Sequence, residues 1–321
     1  MTAPFADRLA DLVDARNSQI VLGLDPDPAR LWPDAVDQAP PDGAPAHRAA
    51  AAVRAHCAAL IDAAGPACVA VKPQLACFER LGADGWAALA ATVAYARERG
   101  LLVIADAKRG DISVSATAYA QALVGSTPTP FGEVAGLGAD AFTANPLLGI
   151  DALEPIVDGA RAAGAGVFVL VRTSNPGAAD IEDLLLARAG GDAPAGRNGD
   201  DHDAEEERVW ERLAAIVAQL GSPPSATSGL SDIGAVVGAT APEHVARMRE
   251  LMPFAPFLLP GIGAQGGRVE DLAPAFTPGR AGGLVSASRS IASAHESTGA
   301  APAAAARAEA ERLRETAWSL T

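Results

Sequence analysis

Three charged residues follow a short apolar run near the middle of the chain. Asp106, Lys108 and Asp111 come directly after the run at 101–105 and spell Asp-Ala-Lys-Arg-Gly-Asp. Residues two apart on a strand point the same way, so we predict that Asp106 and Lys108 share a face and that Asp111 opens the next helix. Two carboxylates around one lysine keep its amine protonated, which makes it a good proton donor. The competing interpretation is a surface ion-pair cluster, or a helix cap by Asp111.

Two more charges end apolar runs elsewhere in the chain. Asp25 closes Gly-Leu-Asp in GLDPDP, and Lys72 closes Val-Ala-Val-Lys in VAVKPQ. A lone charge at the end of a buried strand is unusual, and the proline that follows stops the strand at that point. Each residue alone is also explained as a structural ion-pair partner. Together with Asp106, Lys108 and Asp111, they predict an alternating array of acids and lysines at one end of a barrel.

A glycine-rich stretch and an arginine near the C-terminus indicate a phosphate site. Gly263 and Gln265 lie in PGIGAQGG at 260–267, and Arg289 lies in SASRS at 286–290. Barrels often bind phosphate with the loops after strands seven and eight, and a guanidinium fits phosphate oxygens. We reject a dinucleotide fingerprint, because the motif comes late and lacks an acidic residue about 20 positions on. The alternative is a tight-turn loop with a surface arginine.

Two polar clusters at other predicted strand ends are weaker candidates for contacts to a base or sugar. Ser174 lies in TSNP at 173–176, and Asn145 lies in TANP at 143–146. Either cluster, taken alone, is equally well explained by turn chemistry. The histidines show no ligand spacing, so we predict no metal site; they are His47, His56, His202, His244 and His295.

These residues need a scaffold that brings strand ends together, and the hydrophobic pattern indicates one. Short β-rich runs alternate with helical stretches such as 84–99 and 205–220, and each run is nearly continuous in hydrophobicity, as in a buried parallel sheet. Eight runs can be counted, at 20–25, 68–72, 101–108, 141–145, 167–173, 233–238, 257–261 and 283–286. We therefore predict an α/β fold, a single-domain (β/α)8 TIM barrel, with an open doubly wound sheet as the alternative.

Two segments interrupt the alternation of strands and helices. Residues 33–45 are rich in Pro, Asp and Ala and are predicted to form an irregular loop after the first strand. Residues 190–207 are acidic and poor in apolar side chains, which predicts a mobile, solvated loop. Residues 300–318 are predicted to form a C-terminal helix.

Composition narrows the class of protein. The formal net charge of −14 over 321 residues argues against nucleic acid as the main partner, because a phosphate backbone needs a basic face. No apolar run approaches the roughly 18 residues of a membrane span. Three cysteines cannot form a fully paired framework, and the N-terminus lacks the pattern of a secretory signal. We predict a cytoplasmic protein with reduced thiols and no membrane partner.

Seven segments together resemble the orotidine 5′-phosphate decarboxylase family, in its longer bacterial branch. They are GLDPDP, VKPQLACFE, VIADAKRGDI, DAFTANPLLG, VLVRTSNPGA, LLPGIGAQGG and SASRSI, in this order, and they span residues 20 to about 291. DAKRGDI together with PGIGAQGG is a specific combination. The resemblance implies a cofactor-free barrel that converts orotidine 5′-phosphate to UMP and CO2. It also implies a homodimer with shared active sites.

The resemblance further implies roles for the acidic and basic residues. Lys108 would protonate C6 of the pyrimidine, while Asp106 would lie against the substrate carboxylate and help to orient Lys108. Asp25 and Lys72 resemble residues that contact the ribose hydroxyls and complete the charge network. Asp111 is expected to reach the neighbouring subunit's site.

The resemblance extends to the polar residues of the other loops. Ser174 resembles the residue that contacts the pyrimidine amide, while Gly263, Gln265 and Arg289 resemble the phosphate clamp. Thr117 is also expected to face the partner's site. Two other functions remain open at this point: a Mg2+-dependent decarboxylase or aldolase acting on sugar phosphates, and a non-catalytic nucleotide-binding barrel.

Overall fold

Eight parallel strands form a closed barrel in the computed structural model, which describes residues 3–186, 207–221 and 223–321. With the two strands of a separate hairpin, the described residues form ten strands. In chain order they are β1 (Ile20–Leu24), β2 (Ala70–Pro73), β3 (Leu102–Arg109), β4 (Ser126–Thr129), β5 (Gly132–Ala135), β6 (Ala141–Ala144), β7 (Gly166–Arg172), β8 (Ile233–Val237), β9 (Phe257–Leu259) and β10 (Gly283–Ala287). The barrel closes in the order β1, β2, β3, β6, β7, β8, β9, β10 and back to β1, whereas β4 and β5 form a separate antiparallel hairpin. Each predicted run overlaps one barrel strand to within a few residues at either end, so the (β/α)8 prediction is confirmed.

Helices cover the barrel on the outside and at one end. Their bounds are α1 (Phe5–Arg16), α2 (Pro33–Asp37), α3 (Pro45–Ala64), α4 (Leu75–Glu79), α5 (Gly82–Glu98), α6 (Ser113–Leu123), α7 (Ile150–Ala162), α8 (Val209–Leu220), α9 (Val245–Leu251), α10 (Arg289–Ala292), α11 (Ala294–Thr298) and α12 (Pro302–Trp318). Across the described ranges, none of these helices combines the length and the apolar character needed to cross a membrane. The assignment of the chain to a single domain remains a prediction.

The two-residue repeat of each strand sorts its side chains between two apolar clusters. In β3, Val103 packs in the cluster shared with the outer helices, whereas Ile104 packs in a second cluster inside the barrel. Helix α1 closes the inner cluster from below, where the Phe5 ring meets Phe168 edge to face with centroids 5.9 Å apart. The same repeat puts Asp106 on the inner face, two residues beyond Ile104. The inside of the barrel is therefore apolar at one end and charged at the other.

Several boundaries differ from the sequence predictions, and one prediction is wrong in part. The segment 33–45 is not wholly irregular, because it contains α2: extended Trp32 precedes Pro33, which suits a first helical turn. The helices predicted at 84–99 and 300–318 are α5 and α12, each shifted by one or two residues. The helix predicted from 205 begins at Val209, where the amide of Arg208 donates to the Glu211 side chain at 2.9 Å.

Two features of the chain lie outside the barrel pattern. The β4–β5 hairpin was not predicted, because the prolines of TPTP conceal a strand, and Phe131 at its tip is 98% exposed. The acidic insertion predicted at 190–207 falls almost entirely outside the described residues. Its flanks meet each other, since the amide of Leu186 donates to the carbonyl of Glu207 at 2.8 Å.

A buried arginine connects the elements around β9. Arg249 of α9 is 7% exposed, and its guanidinium lies 3.8 Å from the centroid of the Phe257 ring. The guanidinium donates to four backbone carbonyls at 2.8–2.9 Å, those of Met252, Ala255, Ala275 and Gly282. One side chain thus supplies donors to several backbone carbonyls at once, of which that of Met252 also accepts from the amide of Ala255 at 3.4 Å.

Replacing Arg249 with Met is expected to lower the free energy of unfolding by about 3 kcal/mol, because it leaves buried carbonyls without partners. Urea denaturation followed by circular dichroism measures the change. Arg280→Met is the matched control, since Arg280 is exposed and stacks on Trp318 at 3.9 Å. The control is expected to cost less than about 1 kcal/mol. Equal losses for the two variants would contradict this role of Arg249.

Candidate active site

A cavity of about 360 Å3 opens at the C-terminal ends of the barrel strands. Its floor is apolar and comes from Leu170, Val236 and Leu258. The predicted site residues that line its wall are Asp25, Lys72, Asp106, Lys108, Ser174, Gln265 and Arg289. The structure thus brings together residues from the ends of six strands. The size fits a small-molecule site.

Asp106 is the centre of the charged side of this cavity. Its Oδ2 accepts hydrogen bonds from Lys72 Nζ at 2.6 Å and from Gln74 Nε2 at 3.1 Å. Its Oδ1 accepts from Lys108 Nζ at 2.5 Å and from Thr143 Oγ1 at 3.0 Å. Four donors from β2, β3, β6 and the residue after β2 therefore converge on one carboxylate.

The charges of this cluster stabilise one another against burial. Burial disfavours the ionised form of Asp106, but the ammonium groups of Lys72 and Lys108 hold the pKa of the carboxyl well below its usual range. Burial likewise disfavours the ammonium of Lys72, yet Asp106 and Asp25 raise its pKa above the ordinary lysine value. The carboxylate and the Lys72 ammonium are therefore both charged at neutral pH.

Lys72 and Lys108 are the two lysines of the chain. Apart from the histidines, all its other basic side chains are arginines. They differ in exposure: the side chain of Lys72 is 7% exposed and that of Lys108 is 45% exposed. An arginine would keep the charge at either position but would not release a proton at neutral pH. Lys108, at the open edge of the cavity, is thus placed to transfer a proton.

The backbone at Lys108 is irregular. Ala105 pairs with Phe142, but the next pair joins Arg109 to Ala144, so β3 bulges between them. Lys108 lies in the left-handed region with φ of 47°, a conformation that costs about 1–3 kcal/mol for a residue with a side chain. Its amide donates to Thr143 Oγ1 at 2.9 Å, which holds it in place. The contact of Lys108 with Asp106 thus depends on this bulge rather than on a straight strand.

Four predicted site residues do not line the cavity. Asp111 accepts from the amide of Ile112 at 2.8 Å and lies before α6, which begins at Ser113. The prediction of two acids around Lys108 is therefore wrong within one chain: one acid, Asp106, lies between two lysines. Thr117 is exposed on α6.

Asn145 and Gly263 also have local roles. Asn145 accepts from the amide of Leu147 at 3.0 Å, so it supports a turn, as the competing interpretation proposed. Gly263 donates its amide to the carbonyl of Gly267 at 3.0 Å, so this amide is already used within the glycine-rich loop. Thr143, two residues before Asn145, lines the cavity in its place.

The loop after β7 is fixed at its first residue, next to Ser174. The amide of Thr173 donates to Glu182 at 2.8 Å, and its carbonyl accepts from Arg172 at 2.6 Å. Arg172 is held in turn by a two-point pair with Asp183, at 3.0 and 2.9 Å. These contacts present Ser174 to the cavity from a rigid base.

The side of the cavity away from Asp106, formed by the loops after β9 and β10, carries the groups that suit a phosphate. Gly261 has φ of 104°, and a Cβ there would lie 3.1 Å from both Ser174 Cβ and Gln265 Oε1, so glycine allows these side chains to approach. Arg289 is exposed at the start of α10 and has no ion-pair partner among the described residues. A side-chain amide and an unpaired guanidinium therefore face the same space.

Sequence reasoning missed Gln74 and undervalued Thr143, although both complete the hydrogen bonding of Asp106. A signal for Gln74 existed, because it lies two residues after Lys72 and so shares its side of an extended chain. Thr143 likewise lies two residues before the predicted Asn145, on the same side of an extended chain. β6 ends at Ala144, between the two.

Asp106→Asn is expected to destabilise the protein by about 3 kcal/mol, because the buried Lys72 ammonium loses its charged partner. The Asp106/Lys72 pair gives stability above the unfolded aspartate pKa of about 3.9, and it is lost as pH falls below that value. The difference in thermal midpoint between wild type and variant should therefore be largest at neutral pH, for example at pH 7, and should become smaller as the pH is lowered toward 3.

The double variant Asp106→Asn/Lys72→Met provides the control. Removing both charges should cost less than the sum of the two single changes, since no uncompensated buried charge remains. Additive losses would show that the two groups do not stabilise each other.

The chain matches a family of known proteins over most of its length. A family model described as "Orotidine 5'-phosphate decarboxylase / HUMPS family" matches residues 18–304. A relative named orotidine 5′-phosphate decarboxylase from Deinococcus radiodurans is 38% identical over 292 residues, which cover 91% of this chain and 90% of the relative. One of the same name from Haloarcula marismortui is 41% identical over 289 residues, covering 89% and 86%.

Solved structures show the same architecture. The structure of Leishmania donovani OMP decarboxylase superposes with a TM-score of 0.67 at 30% sequence identity, covering 98% of this chain and 99% of that one. The barrel, the charged cluster on β2 and β3, and the matches over nearly the whole chain agree. The chain belongs to the orotidine 5′-phosphate decarboxylase / HUMPS family.

Proposed function

We propose that this chain decarboxylates orotidine 5′-phosphate to UMP and CO2, as a step in making pyrimidine nucleotides. The observation that carries the proposal is the Lys108 ammonium, hydrogen-bonded to buried Asp106 at the edge of the cavity. Relatives that bear the name of this enzyme, at 38% and 41% identity over most of the chain, support the same activity.

The reaction follows from the positions of the charged groups. The bond between C6 and the carboxylate breaks, CO2 leaves, and the electron pair stays on C6. Lys108 Nζ then delivers a proton to C6, which gives UMP, and the neutral amine regains a proton from water. No electron sink is needed, because the fixed ammonium is present before the negative charge develops. We therefore propose that the reaction needs no cofactor.

Asp106 and the phosphate side have complementary effects. The substrate carboxylate would lie beside the Asp106 carboxylate, and this repulsion is relieved as CO2 departs. Binding of the phosphate by Arg289 and Gln265, at the other wall, offsets the cost of that approach. We assign Ser174 to the pyrimidine amide and Asp25 to the ribose hydroxyls, on the family resemblance and on their places in the cavity wall.

The alternative functions would give Asp106 different roles. A Mg2+-dependent enzyme acting on sugar phosphates would use carboxylate oxygens as metal ligands. Here each oxygen of Asp106 already accepts from a lysine, at 2.6 and 2.5 Å, which disfavours a second cation. A non-catalytic binding barrel would have no use for a proton donor beside a buried acid. The charge cluster thus favours metal-independent decarboxylation.

Turnover of orotidine 5′-phosphate by chelator-treated protein, followed by the loss of absorbance, tests the proposal. Wild type is expected to be active without added metal. Lys108→Ala should lower kcat at least about 10³-fold while UMP binding persists, because the proton donor is lost. Lys108→Arg should also be inactive, since a guanidinium does not give up its proton.

Arg109→Ala is the matched control for this experiment. Arg109 is the next residue, pairs with Glu79 and does not line the cavity, so kcat should change less than about twofold. Activity that disappears with chelator and returns with Mg2+ would favour the sugar-phosphate function. Retained turnover in Lys108→Ala would remove Lys108 from its assigned role.

We propose in addition that the chain forms a homodimer in which Asp111 and Thr117 complete the partner's site. The loops after β3 and β6 start side by side, since the amide of Asn145 donates to the carbonyl of Arg109 at 2.8 Å. The two loops and the first turn of α6 expose apolar side chains, with Ile112 at 56%, Val114 at 83%, Leu147 at 79% and Leu148 at 52%. Such a patch beside the cavity is typical of a protein interface.

Mixed variants test the shared site. Lys108→Ala and Asp111→Ala chains should each be nearly inactive alone. After they are unfolded and refolded together in equal amounts, half of the dimers are hybrids with one intact site, so about a quarter of wild-type activity should return. Activity no higher than the mean of the two variants would place Asp111 outside the partner's site.

A cytoplasmic location is also part of the proposal. It is supported by the three unpaired cysteines, of which Cys57 and Cys68 are buried. Unpaired thiols of this kind persist in a reducing compartment.

A further inference from the structure

The helix that carries Arg289 is short, and Ile291 on its inner side is fully buried in the core. α10 spans four residues, Arg289–Ala292, directly after β10. Behind Arg289 lies a second cavity of about 160 Å3, lined by His56, Cys57 and Ala292 among others. The core side of α10 is therefore packed while the side next to Arg289 borders a cavity, so contacts at the ends of the helix bear on where the guanidinium lies.

Two contacts hold α10 at its ends. Ser288, just before it, packs against β1, where a Cβ on Gly23 would lie 1.8 Å from Ser288 Oγ. At the other end, the carbonyl of Ala292 accepts a hydrogen bond from Trp32 Nε1 at 3.0 Å. Trp32 belongs to the loop after β1, the same loop that begins with Asp25. The hydrogen bond thus joins the sugar side of the site to the phosphate side.

Trp32 is itself fixed from two directions. Its indole is 5% exposed and lies edge to face with the rings of His56 and His295, at centroid distances of 5.2 and 6.4 Å. Its amide donates to His56 Nδ1 at 3.2 Å, so this nitrogen carries no proton. Burial lowers the pKa of His56 to about 4, so the imidazole is neutral at pH 7 and remains an acceptor.

We propose that Trp32 is a positioning residue for phosphate binding, which holds α10 at the height at which Arg289 reaches the nucleotide phosphate. Trp32 does not line the cavity and acts through the carbonyl of Ala292. The proposal rests on the proposed function only in taking a nucleotide phosphate as the ligand of Arg289.

Trp32→Phe keeps an aromatic ring and removes the Nε1 donor. KM for orotidine 5′-phosphate and Kd for UMP should rise about 3- to 10-fold, as expected for one lost hydrogen bond, with kcat changed less than about twofold. The affinity for uridine, which lacks the phosphate, should stay unchanged. In an Arg289→Ala background, Trp32→Phe should have no further effect on UMP affinity, because both changes act through one contact.

Three variants complete the experiment. Trp86→Phe is the matched control, since Trp86 is 40% exposed on α5, and it should leave every constant unchanged. Arg30→Ala breaks the exposed pair of Arg30 with Glu296, which joins the same loop to α11, and should have little effect. If Trp32→Phe fails to fold, His56→Phe removes the acceptor of the Trp32 amide and should raise the Kd of UMP, but not that of uridine.

A Trp32→Phe effect that is equal for UMP and uridine, or that persists in full in the Arg289→Ala background, would overturn the proposal. Unchanged UMP affinity in both Trp32→Phe and His56→Phe would do the same. These binding constants do not depend on turnover, so an inactive wild type would refute the proposed function without deciding the role of Trp32.

Discussion

The site depends on a single buried carboxylate held between two ammonium groups. Lys72 and Lys108 hold the pKa of the Asp106 carboxyl below its usual range despite its burial, and Asp106, together with Asp25, raises the pKa of buried Lys72. Removing either partner leaves a charge in a poorly solvated place, which is why the three groups behave as one unit. Gln74 and Thr143 donate the remaining hydrogen bonds to the Asp106 carboxylate and fix its orientation.

The barrel explains why these groups meet at all. Parallel strands end at one rim, and their two-residue repeat puts Asp106 and Lys72 in the layer above the apolar interior that α1 closes from below. The bulge in β3 then turns Lys108 to the edge of the cavity, in a left-handed conformation that Thr143 stabilises. The backbone strain is local to the residue assigned to proton transfer, as is common at functional sites.

The opposite wall is built differently. The glycine-rich loop uses amides of its own to bond itself, so it supplies shape, whereas Gln265 and Arg289 supply the polar groups. Residues outside the cavity hold two of its loops: Arg172, Glu182 and Asp183 fix the loop after β7, and Trp32 donates to the carbonyl of Ala292 at the end of α10. The rigid parts of the site are therefore distributed over distant segments of the chain.

The sequence predicted the barrel and most of the cavity wall, because strand ends in a closed barrel share one rim and charges at those ends stand out. It did not predict that Asp106 would lie between two lysines, since Asp111 follows the bulge in β3, where the carbonyl of Arg109 accepts from the amide of Asn145. Trp32 was missed because its partner lies 260 residues away and no local pattern marks such a pair. Gln74 was overlooked although its spacing from Lys72 indicated it.

The presence of two lysines in the chain makes the central claim directly measurable. Protein labelled with 13C at lysine Cε gives two resonances, which Lys108→Ala assigns. We predict that Lys72 titrates above the ordinary lysine pKa of about 10.4 in wild type and at lower pH in Asp106→Asn, and that UMP shifts the Lys108 resonance. A Lys72 titration that is the same with and without Asp106, or a Lys108 resonance unmoved by saturating UMP, would contradict it.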